Sequence, residues 1–402
     1  MAIKLQRKTF IYVVLLTFML ITGIEKPSFA QDTTQDIFSR FKKPLPDLPD
    51  ISKEDFEGST QSVNKKPYGQ RVLEYSMRIP KEWKIGDDES SSNFLLSDKL
   101  FLELSKYYGK PTISGRSRIE ISALNIDSNL TTEQWYLRYI LESGYTTEGF
   151  VTRDDGSVES LMIVMEEDYS YYLRTRVSIN GSKVIMVKYF VPIHYIQERA
   201  VMQEGVIDSF KLLNKVDRPE METQIYRFLD VAEISYPPHW KVIAKPLRSV
   251  DRMNASIINT GEKKKGLGQA TISSSTQGKM DVSLISSAVQ NSLIDEIADY
   301  KEHIESSGIL ISEKIEEEYV FQYKDEIDFA ITEVYKGVDS SSKLSEYELW
   351  FTVMVSGNYY YFLMLLTPSR NDSFATWAEN TQNYKVMVKS FTPLAGAFLD
   401  RN

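Results

Sequence analysis

The stretch Tyr75–Lys84, YSMRIPKEWK, returns at Ala232–Lys241 as AEISYPPHWK, and the reading of the whole chain follows from that recurrence. In both copies alternating apolar residues have the period of a strand, proline stops it, and a short turn leads to Trp-Lys. A second pair of blocks follows. Arg174–Pro192 aligns without a gap to Trp350–Pro368, and in each a glycine, Gly181 or Gly357, precedes the proline by 11 residues. Each block reads as a β-hairpin, with Val177 and Ile179 before the Asn180-Gly181 turn and Val184, Met186 and Phe190 after it. Val353, Val355, Tyr360, Phe362 and Leu366 take those places around Ser356-Gly357. Asn-Gly favours a tight hairpin because both turn positions call for positive φ.

Helices recur in the same order. Thr131-Thr132-Glu133-Gln134 is a capping box, Trp135, Tyr136, Tyr139 and Ile140 form the apolar face behind it, and Gly144 stops the helix. Its counterpart is expected over Val282–Ser307, carrying Ile285, Val289, Leu293, Ile297 and Ile304 and ending at Gly308. A last helix is expected over Tyr195–Ser209, with Ile196, Ala200 and Ile207; in the second copy Phe374, Trp377, Tyr384 and Val388 share one face. Both end in Ser-Phe, Ser209-Phe210 and Ser390-Phe391. Several blocks in one order make an internal duplication. The expected fold class is α+β, as two tandem domains at 70–213 and 224–394, joined by a short charged connector at 214–223 that allows a fixed or hinged pairing. Residues 395–402 form a tail.

At the strand-Pro-x-x-Trp-Lys element, the central helix and the final helix ending in Ser-Phe, each unit resembles the PsbP/DcrB-like family. The resemblance covers both units and implies an α/β/α sandwich with a central, mostly antiparallel sheet in each. It also implies a non-enzymatic accessory role, as in thylakoid-lumen subunits that attach to photosystem II and in bacterial envelope proteins. The family has no shared catalytic set to carry over. Duplication and a proline-containing leader depart from its usual single-domain form, which leaves the family's partners open here.

Upstream of the first unit, Lys4, Arg7 and Lys8 precede an apolar run from Phe10 to Ile24, and Ser28-Phe29-Ala30 offers small residues before a cut. This is the layout of a secretory signal peptide over residues 1–30, with an uncleaved anchor as the alternative. The segment carries Lys4, Arg7, Lys8 and Lys26 against Glu25, so its loss leaves a chain more acidic than the formal charge of −9. Such a chain is a poor ligand for nucleic acid or anionic lipid. With no cysteine there is no disulfide, thiolate metal site or lipidated N-terminal cysteine. Residues 31–69, with Pro44, Pro46 and Pro49, read as a disordered semi-rigid linker, either a tether or a docking strip for a partner groove.

Candidate chemistry is sparse. The three histidines, His194, His239 and His303, are far apart in sequence. Ser340-Ser341-Ser342-Lys343 fits Ser-x-x-Lys but lies in a polar loop. Glu166-Glu167-Asp168 and Glu316-Glu317-Glu318 read as solvated edges, because consecutive carboxylates on a strand point to opposite faces. Lys263-Lys264-Lys265 is a basic loop in an acidic chain, either solvated or a contact for an acidic partner. Trp83 and Trp240, at equivalent places, are expected to pack in the core. Tyr171-Tyr172 and Tyr359-Tyr360-Tyr361 lie by the hairpins, half-buried or facing a partner.

No catalytic, metal-binding or cofactor-binding residues are therefore assigned, no cofactor is expected, and the partner-binding residues are left open. The expected function is that of a non-enzymatic periplasmic or secreted adaptor in an envelope complex, with other envelope proteins as partners. A membrane contact is expected only through an uncleaved N-terminus. Carriage of a small apolar ligand such as a lipid is the first alternative, and a hydrolase with an unrecognised site is the remote one.

Overall fold

The computed structural model describes residues 36–86, 95–96, 99–110, 115–166, 168–228, 232–244, 252–259, 279–286, 293–306, 308–316, 325–339, 346–356 and 359–394. The chain divides into two compact units, residues 1–40 and 41–402, and both copies of the repeat lie in the second.

The first copy opens with helix α1, Lys53–Ser59, and strands β1, Thr60–Lys65, and β2, Tyr75–Pro80. Next come β3, Lys84–Ile85, the short pair β4, Leu95–Leu96, and β5, Lys99–Leu100, then β6, Leu102–Tyr108, and β7, Arg118–Asn125. Helix α2, Thr132–Ser143, leads into β8, Thr147–Thr152, β9, Val158–Glu166, β10, Tyr169–Asn180, and β11, Lys183–Pro192. Helix α3, Ile196–Asp208, and β12, Lys211–Leu212, close it.

The second copy runs through β13, Gln224–Phe228, β14, Ala232–Tyr236, β15, Trp240–Ala244, β16, Arg252–Asn259, and β17, Lys279–Ser286. Helix α4, Leu293–Ser306, precedes β18, Ile309–Glu316, β19, Phe329–Asp339, β20, Glu346–Ser356, and β21, Tyr359–Pro368. Helix α5, Phe374–Ser390, and β22, Thr392–Pro393, end it.

The protein is thus mixed α and β, and its described strand pairs are antiparallel. In the first copy a seven-stranded sheet is ordered β3-β6-β7-β11-β10-β9-β8 beside a three-stranded sheet β1-β2-β12. The second copy has β15-β16-β17-β21-β20-β19-β18 beside β13-β14-β22, the same order strand for strand.

Alternation places the core. In β7, Ile119, Ile121 and Ala123 point to one face and are buried, with Tyr107, Ile185, Val187 and Tyr189 from neighbouring strands. Val206, Ile207 and Phe210 at the end of α3 and Tyr75, Met77 and Ile79 of β2 cover that face. Helix α2 lies on the other face, where Tyr136 OH meets Ser160 Oγ at 2.6 Å. In the second copy Ile304 of α4 packs on Leu349, Phe351, Phe362 and Met364. Tyr384 of α5 reaches the opposite face, bonding Thr352 Oγ1 at 2.7 Å.

The recurrent motifs make matching contacts. Trp83 N–H donates to the Pro80 carbonyl at 3.1 Å, and Trp240 N–H to that of Pro237 at 3.0 Å. Ser209 Oγ accepts from the Arg78 N–H at 2.9 Å, and Ser390 Oγ from the Ser235 N–H at the same distance. The serine of Ser-Phe therefore ties the last helix to the strand of the opening motif.

Three expectations are corrected. Residues 31–69 do not form a disordered linker throughout. Helix α1 is capped by Ser52, whose Oγ accepts from the Asp55 N–H, and β1 pairs with β2 along its whole length, from Thr60↔Pro80 to Lys65↔Tyr75. Polar composition misled because β1 is an edge strand with little to bury. The proposed helix over 282–307 begins instead as β17, which sits between β16 and β21; only Leu293–Ser306 is helical, and 287–292 lie outside the described residues. Met280, Val282 and Leu284 alternate with Asp281 and Ser283 at the period of a strand, and the helical spacing begins only at Ile285. Finally, the first hairpin turns at Gly181-Ser182, because Asn180 still pairs with Lys183. Gly181 supplies the positive φ, 55°.

The connector is fixed along its first part. The Asn180 amide donates to the carbonyls of Val72 and Asn214 at 2.9 and 2.8 Å and accepts from the Val216 N–H at 2.8 Å. Arg218 Nη1 donates to the Leu130 carbonyl at 2.7 Å. Between the copies, Gln382 of α5 donates to Gln134 of α2 at 2.8 Å.

Candidate functional site

The α2-side face of the first sheet is charged at its centre. Register places Glu120 opposite both Lys106 and Lys188, and Arg118 opposite both Tyr108 and Phe190, so these six side chains share a face of β6, β7 and β11. Their neighbours in sequence, Tyr107, Ile119, Ile121 and Tyr189, point into the core behind.

Arg118 anchors the group. Its Nε donates to Glu120 Oε1 at 2.7 Å, its Nη2 pairs with Glu166, and its guanidinium lies 3.7 Å from the Phe190 ring centre and 5.1 Å from that of Tyr171. Lys106 Nζ is 3.6 Å from Glu120 Oε1. Arg116 stacks on Tyr108, 3.6 Å from the ring centre. Lys188 Nζ donates to Tyr139 OH at 3.0 Å. Around Lys188 stands a wall of rings: Phe101 edge-on to Trp135 and Tyr139, Trp135 stacked on Tyr139 at 5.7 Å, and Tyr145 beyond.

Burial pushes the Glu120 carboxyl upward, but Arg118, with Lys106 and Lys188, outweighs it and holds the group below the usual carboxylate range. Burial alone would lower Lys188; Tyr139 and Glu120 reverse this and raise it. Glu120 and Lys188 therefore both stay ionised at neutral pH. Four cations, Lys106, Arg116, Arg118 and Lys188, stand with two carboxylates, Glu120 and Glu166, in a chain whose formal charge is −9. This local excess suits an anionic group flanked by apolar surface.

The second copy differs at the same positions. There Ser256 and Ile258 replace Lys106 and Tyr108, and Met364 replaces Lys188. All three are buried. Lys279 and Asp281 stand at the places of Arg118 and Glu120, so what sets the first copy apart is its pair of lysines, Lys106 and Lys188.

The residues weighed in the sequence are scattered. His194 lies in the turn after β11 beside the Tyr195 ring, and His239 lies before β15, 3.6 Å from Glu379. His303 is on α4. Among the described residues no His, Asp or Glu group could hold a metal ion. Glu166 is drawn into the shelf by Arg118, whereas Asp168 is exposed in the β9–β10 turn and Glu316 ends β18. Glu167, Glu317, Glu318, Lys263–Lys265 and Ser340–Lys343 lie outside the described residues. Trp240 is 2% exposed. Trp83 is half-buried, edge-on to Tyr189 at 5.3 Å. Tyr171 and Tyr361 are buried, while Tyr172, Tyr359 and Tyr360 are half-buried.

Sequence reading missed the shelf because it is assembled from strands distant in the chain. The available signal was the alternation of Arg118 and Glu120 with Ile119 and Ile121, which puts charge on one face of a central strand.

No family profile matches the chain, and no curated protein does. Solved structures with a likeness to it include the Ran-binding protein Mog1p of Saccharomyces cerevisiae, at 13% identity and a TM-score of 0.31, over 44% of this chain and 97% of that one. The cyanobacterial PsbP of Synechocystis aligns at 15% identity and a TM-score of 0.28, over 42% and 99%. The type VI secretion immunity protein TplEi of Pseudomonas aeruginosa aligns at 13% identity and a TM-score of 0.20, over 80% and 94%. These are weak likenesses of fold, and PsbP-like proteins are among them.

Proposed function

We propose that the protein is a non-catalytic adaptor of the bacterial envelope that docks an acidic protein surface on the shelf of its first copy. On this reading residues 1–30 direct export, and the mature chain is two tandem α/β/α sandwich domains of the PsbP/DcrB-like kind, working in the periplasm or outside the cell. The observation that carries the reading is the excess of cations, framed by Tyr108, Phe101, Tyr139 and Tyr145, in an otherwise acidic chain. Opposite charge steers encounter and selects the partner, while Arg and Tyr are the residue types that concentrate binding energy.

The test is charge reversal at Arg116, whose stacking on Tyr108 lies at the rim. Arg116→Glu is expected to abolish recovery of the partner after crosslinking in cells, without changing the melting temperature. Recovery from wild type should also weaken as salt is raised. Unchanged recovery with Arg116→Glu would remove the shelf from the interface.

A further inference from the structure

The two seven-stranded sheets end on edges that are treated differently. In the second copy the edge strand β18 carries Glu313, Lys314 and Glu316, Glu313 is salt-bridged to Lys336, and the Ile311 N–H is taken by the Glu305 carboxylate at 3.3 Å. Charge along an edge discourages added strands. In the first copy the edge strand β8 makes a main-chain hydrogen bond to a segment of the chain upstream of the repeat. The Phe150 N–H donates to the Lys43 carbonyl at 2.8 Å, and Lys42 Nζ pairs with Glu133 of α2 at 2.8 Å. Glu133 in turn accepts from Thr152 Oγ1 at 2.9 Å, tying the same carboxylate to β8.

Gly149 makes the close approach possible. A Cβ there would lie 2.9 Å from Leu45 Cα and 3.0 Å from the Pro44 carbonyl oxygen, both backbone atoms that cannot swing away. The edge is shaped to bring a second backbone close. Its occupant, Lys42-Lys43-Pro44-Leu45-Pro46, is a segment outside any helix or strand, with an aliphatic residue between prolines and basic residues before them. Lys42, Lys43, Pro44 and Pro46 are exposed, so the segment rests on the surface.

We propose that the outer edge of β8 is a strand-acceptor site, filled in cis by residues 42–46 and taken over by an extended segment of the same pattern from a partner protein. The added chain would take the Phe150 N–H through a main-chain carbonyl, set its aliphatic residue over Gly149, and place its basic residue on Glu133. This is β-augmentation, in which main-chain bonds give affinity and side-chain contacts give selection. The site is independent of the basic shelf.

A fluorescent peptide with the sequence of residues 41–52 serves as the probe for anisotropy against the full chain. Lys42→Glu sets two carboxylates against each other and loosens the strap; Leu45→Asp does so by a second route. Each variant is expected to bind the peptide at least tenfold tighter than wild type, and adding Gly149→Val to either should abolish binding. Circular dichroism and melting of every variant confirm that it is folded. Three results would each overturn the proposal: no binding to either loosened variant, binding indifferent to Gly149→Val, or equal binding to wild type. A concentration-dependent wild-type dimer that Leu45→Asp dissolves would identify a second copy of this chain as the occupant and would also overturn it.

Discussion

Ser209 and Ser390 make the same two contacts 181 positions apart in the chain, each accepting from a β-strand N–H and donating to a carbonyl one turn back, at Val206 or Met387. Ser209→Ala leaves the Arg78 N–H without its acceptor, at a cost of about 1–3 kcal/mol. Thermal unfolding should register this as a drop of several degrees, and Ser390→Ala should match it. The tryptophans diverge more. Trp240 is nearly inaccessible and its Nε1 has no hydrogen-bond partner among the described residues, so Trp240→Ala should cost about 3–5 kcal/mol while Trp240→Phe costs much less. Trp83, half-buried, should lose less on truncation to Ala. Equal losses at Trp83 and Trp240 would contradict that ranking. Glu120 adds a pH dependence. Its carboxyl is held low in the folded protein, so its contribution is present above the unfolded value of about 4.3 and is lost as pH falls through the folded value. Melting of wild type and Glu120→Gln should converge as pH is taken below about 4.

At the scale of elements, what was legible is what repeats. The strand before Pro-x-x-Trp-Lys, the hairpin blocks and the helix ending in Ser-Phe all carry their own punctuation, and each was found at or near its expected place. Helix α2 shows why: Thr131 Oγ1 accepts from the Gln134 N–H, Gln134 reaches back to the Thr131 N–H, and Gly144 takes φ of 68°. Thr131→Ala should cost about 1 kcal/mol, measured by denaturant unfolding. β1 and β17 were misread for opposite reasons. β1 lies at an edge and buries almost nothing, so it lacks the apolar alternation of a strand. β17 lies between two partners and alternates, with Met280, Val282 and Leu284 between Lys279, Asp281 and Ser283, which is the period of a strand; the apolar residues from Ile285 onward drew the helix too far back. β1 takes its pairing from β2, close behind it in the chain, whereas β17 is held on one side by β21, far along it. The shelf shows half of itself locally, in the alternation of Arg118 and Glu120 on β7, and the other half comes from β11, far along the chain.

At the scale of the molecule, duplication gave two copies of one topology whose surfaces then parted. Met364 stands where Lys188 does, and Glu313 and Lys314 guard an edge that the first copy covers with its leader. The connector belongs to the first copy in its contacts: Asn180 holds Asn214 and Val216, and Arg218 donates to the carbonyls of Ser128 and Leu130. Burial lowers the Arg218 pKa, a sign that its charge is sheltered where it meets those carbonyls. Arg218→Ala removes both bonds and leaves the carbonyls to water. The connector should then lift from the first copy while the sheets on either side, which Arg218 does not touch, stay intact. Limited trypsin digestion reads this directly through Lys215, which lies in the connector between Asn214 and Val216. In wild type the Asn180 and Arg218 bonds should hold Lys215 back from the protease. In Arg218→Ala cleavage there should quicken severalfold and yield two persistent fragments, one per copy, with melting little changed. Cleavage at an unchanged rate would mean that the Asn180 amide alone fixes the connector, and Asn180→Ala would then carry the effect.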